Sequence, residues 1–459
     1  MARHASGRRG KIGLAGLLAA LAALILAMPL SAPKADALPP EPGFHLGVAS
    51  CANSTCHGRQ EPTGAVVRQD EVARWQDATS QAGAHSRAWL VLGSARGRAI
   101  AARLGIGDPQ SSNECLGCHV DPAPRHGPRW KQSDGVGCEA CHGAASAPWF
   151  IQHYSVNATH ARNVSLGLYP IDEPKARAAK CLDCHMGGDG RQFASHRIMA
   201  AGHPRLSFEL GLFSALQQHW NVDDDYIKRK GRPSEAQLWA VGQAMAVSRA
   251  LTLYAEPRRQ AGALPEFAFF DCHSCHRRIS DAPDYRPSAI PNPARGLVPG
   301  EPPFQDENMI MLSAAAHVVD PALAGRFDAD ARAFHMGFAK SQADVLSAGA
   351  RLRGTADRLA DAFAARPFGT RETFAMIHAV ATTMADRYTD YEASAQAVMA
   401  IDTLLDGLVR QGAVTREQVA PIRGQIDLAY RAVRDPNLYQ PADFRAALGR
   451  AATAIEGLK

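Results

Sequence analysis

A mainly α-helical protein built in two unlike parts is the fold class this sequence predicts, on three observations. All ten cysteines lie before residue 277 and fall into five pairs, each followed directly by a histidine. Residues 281–303 then hold seven prolines, a composition that suits an extended linker rather than a helix. Beyond them the chain is rich in Ala, Leu and Arg, lacks cysteine, and repeats apolar residues at three- and four-residue spacings, the period of a helix with one buried face. The histidines follow the same division, with 14 of 18 between residues 38 and 286 and only His317, His335 and His378 after it. These features predict a loop-rich first domain over 38–303 and an all-α helical bundle over 304–459.

Taken in order, the chain opens with Arg3, Arg8, Arg9 and Lys11, an apolar run from Ile12 to Leu30, and Ala35-Asp36-Ala37 before a Pro-rich start. That pattern is a secretory signal peptide, residues 1–37, cleaved after Ala37. An uncleaved anchor is the other reading of so long an apolar run. No later segment is apolar enough to span a bilayer, so the mature chain is expected to be soluble, with no stable membrane insertion, in an oxidising compartment, the bacterial periplasm. Removing residues 1–37 takes away five basic residues and one acid, and the balance of 50 against 45 becomes 45 against 44. Nucleic-acid binding has no electrostatic support in so even a balance.

The cysteine pairs carry the chemistry. Cys115-Leu-Gly-Cys118-His119, Cys138-Glu-Ala-Cys141-His142, Cys181-Leu-Asp-Cys184-His185 and Cys272-His-Ser-Cys275-His276 share the spacing of c-type haem attachment, and Cys51-Ala-Asn-Ser-Thr-Cys56-His57 is a wider version with four residues between its thiols. Two thiols so placed can add to the two vinyl groups of one porphyrin, and the adjoining imidazole is then delivered to the iron as proximal ligand. Zinc sites and disulfides are the other uses of paired cysteines. Zinc does not explain a histidine after every second cysteine, whereas a disulfide remains an alternative for the wider Cys51 and Cys56 pair. About five covalently attached haems c would also account for the low aromatic content of 7%, since each porphyrin is a large apolar disc and less protein core is needed around it.

Within this first domain Glu71 to Ile106 has helical character around His85. Ser234 to Ala255 reads as a longer amphipathic helix opened by Ser234 as N-cap, and loops are expected elsewhere. Asp223-Asp224-Asp225 lacks the spacing of a calcium loop and reads as a solvated loop. After the Pro-rich run, helices are expected near 328–364, 370–388, 390–412, 415–434 and 441–457, packed as an antiparallel bundle. Thr415-Arg-Glu-Gln418 resembles a capping box. The three histidines of this region are expected as surface or core residues.

The sixth position of each iron decides what a haem does: a second imidazole suits electron transfer, and an open position lets a small molecule react. Twelve histidines outside the signal peptide and the motifs compete for these places. A chain must travel roughly 20 Å, at least about six extended residues, to reach the opposite face of its own porphyrin. His273 cannot close its own haem, and His45 and His126 are marginal for theirs. Better placed are His85, His153, His160, His196 and His203, with His219 in reserve; Met199 reads as a core residue rather than a thioether ligand.

The order of motifs, the block Asp134-Gly-Val-Gly-Cys138-Glu-Ala-Cys141-His142-Gly143, the Trp149 to His153 spacing and the block from His196-Arg-Ile-Met-Ala-Ala-Gly-His203 through Leu210 resemble one family of multihaem cytochromes c. It is typified by the tetrahaem periplasmic electron acceptor of hydroxylamine oxidoreductase, the cytochrome c-552/4-like domain. The resemblance covers residues 45–280. It implies a mainly helical, loop-rich fold around closely packed haems, mostly with two histidines per iron, working as an electron-transfer chain. Carried over, it places His85, His153, His160, His196 and His203 where distal ligands are expected. Five motifs in place of four, the widened first motif and the added C-terminal helices depart from the family pattern.

The function expected is therefore transfer of electrons between redox partner proteins of the periplasm, with no catalytic side chain. The alternative is an oxidoreductase acting on a small nitrogen or sulfur oxyanion at one haem that lacks a distal ligand. Other chemistry has no motif here: there is no nucleotide-binding glycine loop, no Gly-x-Ser-x-Gly elbow and no His-Glu-x-x-His helix.

Overall fold

The computed structural model describes residues 43–458, apart from 63–67, 189, 191, 263–264, 277–280, 282, 284–289, 291, 293 and 298–299. The expected signal peptide and eleven of the 23 residues of the Pro-rich run 281–303 lie outside the described residues. The described residues belong to one compact unit, Glu41–Lys459. It is mainly α-helical. Among the described residues, strand pairing is limited to isolated bridges, His45 with His126 and Phe270 with Phe304. No helix among the described residues is long and apolar enough to cross a membrane.

Up to residue 230 the helices are short and separated by loops. Glu71–Trp75, Ala95–Leu104, Asn113–His119, Glu139–His142, Trp149–Gln152, His160–Ser165, Pro174–His185, His196–Ala200, Leu210–Leu216 and Asp224–Lys230 form this part. The stretch around His85 is not one helix but a run of 3₁₀ turns, Gln81–Gly83, His85–Arg87 and Leu90–Gly93, between the first two of these. Such turns are tighter than α-helix and suit a chain that must bend within a few residues. The Asp223 run is not a loop either, because the Asp223 carboxylate accepts from the backbone N–H of Tyr226 at 2.9 Å and caps the helix that Asp224 and Asp225 begin.

Besides the short turn Cys272–Cys275, eight helices follow among the described residues, all but α5 longer than any before them: α1 Glu235–Tyr254, α2 Glu307–Val319, α3 Pro321–Gly337, α4 Gln342–Ala364, α5 Thr370–His378, α6 Tyr391–Arg410, α7 Arg416–Ala432 and α8 Pro441–Glu456. Ser234 caps α1 as expected, its hydroxyl accepting from Gln237 N at 3.3 Å. Yet α1 is not amphipathic. Residues Trp239 to Ala244 are buried consecutively, as in a helix surrounded by others. The helix expected over 328–364 is two, α3 and α4, because the Ser341 hydroxyl accepts from Asp344 N at 3.1 Å and starts a new helix after a short turn. The capping box of α7 is present in both directions, with Thr415 Oγ1 accepting from Gln418 N at 3.2 Å and Gln418 Oε1 from Thr415 N at 2.8 Å. Residues 379–387, expected to continue α5, instead widen into a π turn and then tighten into a 3₁₀ turn.

The apolar core runs across residue 303. Trp239 and Val241 of α1 share one cluster with Phe304, with Leu312 of α2, Phe334 of α3, Leu352 of α4, Leu404 of α6 and Phe444 of α8. Helix α1 packs on α2, α4 and α6, and also on the helix Pro174–His185. The change of composition near 303 therefore marks the end of the cysteines and not a break in packing. A second tie is Glu209, whose fully buried carboxylate accepts from Gly211 N and Leu212 N at 2.7 Å each and from Thr403 Oγ1 of α6 at 2.6 Å. At Gly242 of α1 an added Cβ would lie 2.6 Å from Cβ of Leu210, so glycine permits the close approach of helix Leu210–Leu216.

Candidate functional site

Four of the five Cys-His motifs sit on helices, and the first lies in a turn. The second ends helix Asn113–His119, the third forms Glu139–His142, the fourth ends Pro174–His185, and the fifth is Cys272–Cys275, capped by Asp271. In the first, Asn53 Oδ1 accepts from Thr55 N at 2.9 Å, a local turn that takes up the two extra residues while the N–H of His57 still reaches the carbonyl of Cys51. All ten thiols are free.

Each motif histidine faces a second imidazole. Ring centroids are 6.2 Å apart for His57 and His153, 6.4 Å for His119 and His203, 6.4 Å for His142 and His219, 6.1 Å for His185 and His85, and 6.0 Å for His276 and His196. Two rings in van der Waals stacking would sit much closer. An iron held between two imidazole nitrogens at about 2.0 Å, with each centroid about 1.1 Å behind its nitrogen, needs roughly 6.2 Å. The spacing thus fits a metal between each pair, and the ten thiols fit the attachment of five porphyrins. The rings are nearly parallel in the pairs of His57 and His276, at 13° and 24°, and steeply crossed in the other three, at 74° to 89°.

Local hydrogen bonds aim these rings. Nδ1 of His119, His153, His203 and His219 lies 2.7, 2.5, 2.7 and 3.1 Å from the carbonyls of Ala88, Phe150, Pro204 and Gln217, and Nδ1 of His57 lies 3.0 Å from Glu71. A bond at Nδ1 fixes the tautomer and leaves Nε2 to ligate. Burial lowers His142 to about 3 and His185 to about 4, which keeps both imidazoles neutral, the form that binds metal. Burial also raises the Cys141 thiol to about 11 and the Cys181 thiol to about 12. The surroundings are those of an apolar disc rather than of thiolates on zinc. Among the described residues, moreover, no motif brings its two sulfurs and its histidine together as zinc would require.

Of the expected distal residues, His85, His153, His196 and His203 face motif histidines. His160 does not: its Nε2 lies 2.9 Å from the Asp172 carboxylate, and His219, kept in reserve, stands opposite His142 instead. His160 opens a helix, capped by Thr159, that turns its ring toward Asp172, while His219 follows helix Leu210–Leu216. His45 is held by Asp121 at 2.7 Å, and His126 stacks on Trp130 at 3.8 Å. Sequence reasoning missed Glu139. Its carboxylate, inside the third motif and 2% exposed, accepts from the backbone N–H groups of Leu46, Gly47 and Ala145 at 2.9, 2.7 and 2.6 Å. It clasps the segment before the first motif to the third. Neighbouring motifs also approach at their thiols, Cys51 sharing a hydrogen bond with Cys138 and Cys118 with Cys184.

These residues define a site for covalently bound haem c. Residues 50–143, which hold the first three motifs and His85, match the family described as cytochrome c554 and c-prime. That match supports a multihaem c-type cytochrome acting in electron transfer. No curated protein and no solved structure matches the chain.

Proposed function

We propose that the chain, exported and cleaved after Ala37, is a periplasmic pentahaem cytochrome c that passes electrons between redox partner proteins. The observation that carries this reading is the set of five imidazole pairs, each containing one motif histidine, at 6.0 to 6.4 Å. Cys51 and Cys56, Cys115 and Cys118, Cys138 and Cys141, Cys181 and Cys184, and Cys272 and Cys275 would hold the porphyrins. The histidine pairs that would hold the irons are His57 with His153, His119 with His203, His142 with His219, His185 with His85, and His276 with His196. When bound, haem supplies reversible one-electron exchange at iron. The chain's own part is to hold the imidazoles neutral and fixed in direction and to surround the discs with apolar residues, which sets potentials through ligand identity and burial. The resemblance to the tetrahaem acceptor of hydroxylamine oxidoreductase supports a multihaem protein as electron donor.

The oxyanion-oxidoreductase reading needs one iron with an open sixth position, and the geometry offers an imidazole opposite every motif histidine. A pyridine haemochrome count with mass spectrometry, joined to spin-state spectroscopy of the oxidised protein, tests the choice. About five haems per chain, all low-spin and inert to carbon monoxide after reduction, are expected. A high-spin haem that binds carbon monoxide would transfer the assignment to the enzyme.

A further inference from the structure

Around the fifth motif lies a buried group of side chains, with His273 between its two cysteines and Asp271 capping its helical turn, none of which is a motif cysteine or a paired histidine. Asp271, His273 and Glu392 are 5, 8 and 6% exposed, and each offers one ligand atom within 4.8 Å of the other two. Nδ1 of His273 is 3.9 Å from Asp271 Oδ1 and 3.9 Å from Glu392 Oε2. These separations are too long for hydrogen bonds, and neither His273 Nδ1 nor Glu392 Oε2 has a hydrogen-bond partner. The other oxygen of Glu392 is turned to Arg205, whose Nε lies 3.8 Å away, so Oε2 is the one aimed at His273.

The surroundings are short of positive charge. Arg205 bonds Glu307 at 2.9 Å, and Arg295 is taken up by Asp306 and Asp390 at 2.5 and 2.6 Å. Asp271, Asp306, Glu307, Asp390 and Glu392 thus share Arg205 and Arg295, with Arg387 acting on Asp306 from farther off, and every one of these carboxylates except Glu307 is buried. Buried charges persist when paired or when they coordinate a metal. A cation at the centre of a triangle with these sides would be about 2.3–2.5 Å from each ligand atom, a few tenths of an ångström from zinc distances to nitrogen and oxygen. One imidazole nitrogen with two carboxylates favours a zinc-class ion over calcium or magnesium, which prefer oxygen alone.

We propose that Asp271, His273 and Glu392 bind one divalent transition-metal ion of the zinc class, clamping the fifth attachment motif to the first turn of α6. The site stands independently of the electron-carrier reading, because none of its ligands is an axial or thioether residue.

The test uses the mature haem-loaded protein, incubated with Zn²⁺, desalted and counted for zinc against haem iron. About one zinc per chain is expected in the wild type, and less than about one fifth of that in Glu392→Gln at unchanged haem content. X-ray absorption at the zinc edge of the wild type needs no variant and is expected to read nitrogen and oxygen neighbours only. No retained zinc in the wild type, equal zinc in Glu392→Gln, or a sulfur shell at the zinc edge would overturn the site.

Discussion

At the scale of single residues, ligand identity is the most exposed part of the proposal. His219→Ala is expected to turn one of the low-spin haems high-spin and open it to carbon monoxide, while His160→Ala leaves all of them low-spin; electron paramagnetic resonance with a carbon monoxide difference spectrum reads both. The crossing angles add a finer expectation. Parallel imidazoles split the iron d orbitals that they donate into, and crossed ones leave them nearly degenerate. Two haems are therefore expected to give ordinary rhombic low-spin signals, and the three with rings crossed at 74° to 89° strongly anisotropic ones. Away from the haems, His335 is fully buried and burial lowers it to about 4. Its neutral form is favoured in the fold, so the stability it contributes is complete above pH 6.5 and is lost as pH falls toward 4, about 3 kcal/mol in all. Urea melts across that window should show a shallower slope for His335→Gln. The motif histidines were legible because attachment chemistry writes them next to cysteine. The place of His219 opposite His142 was not, since the facing imidazole comes from wherever the fold returns, and a histidine such as His160 satisfied by Asp172 looks the same in sequence.

At the scale of elements, helix ends were the most legible feature and fully buried helices the least. Thr415→Ala removes one half of a reciprocal cap and is expected to lower stability by about 1 kcal/mol by denaturant titration. Helix α2 was missed because Asn308 to Ala316 are buried in unbroken succession, which erases the period that betrays a helix with one wet face. For α1 the cap at Ser234 was read correctly and the exposure was not, since nothing in its sequence says that helices from beyond residue 303 surround it. Trp239→Ala is expected to cost about 3–5 kcal/mol by the same titration. A fragment of residues 304–459, lacking α1, should show no cooperative melt by circular dichroism, and one of residues 232–459 should regain it.

At the scale of the whole molecule, the large apolar cluster begins at Ala236, and before that residue only small groups such as Ala145, Ala147 and Trp149 pack together. Chain without attached haem is therefore expected to keep its helices beyond residue 235 and to be open to protease between residues 43 and 230, with limited proteolysis and mass spectrometry to locate the cuts. The overall division into a loop-rich and a helical part was legible from cysteine and proline placement. Its packing boundary was not, because composition follows the cofactor whereas the core follows α1. The sulfur contacts between motifs bear on biogenesis. In a native-like fold Cys51 meets Cys138 and Cys118 meets Cys184, so a polypeptide that collapsed in an oxidising environment ahead of porphyrin ligase action would cross-link those partners and block four thioether positions at once. For a chain matured in such an environment, haem ligation would have to come before collapse.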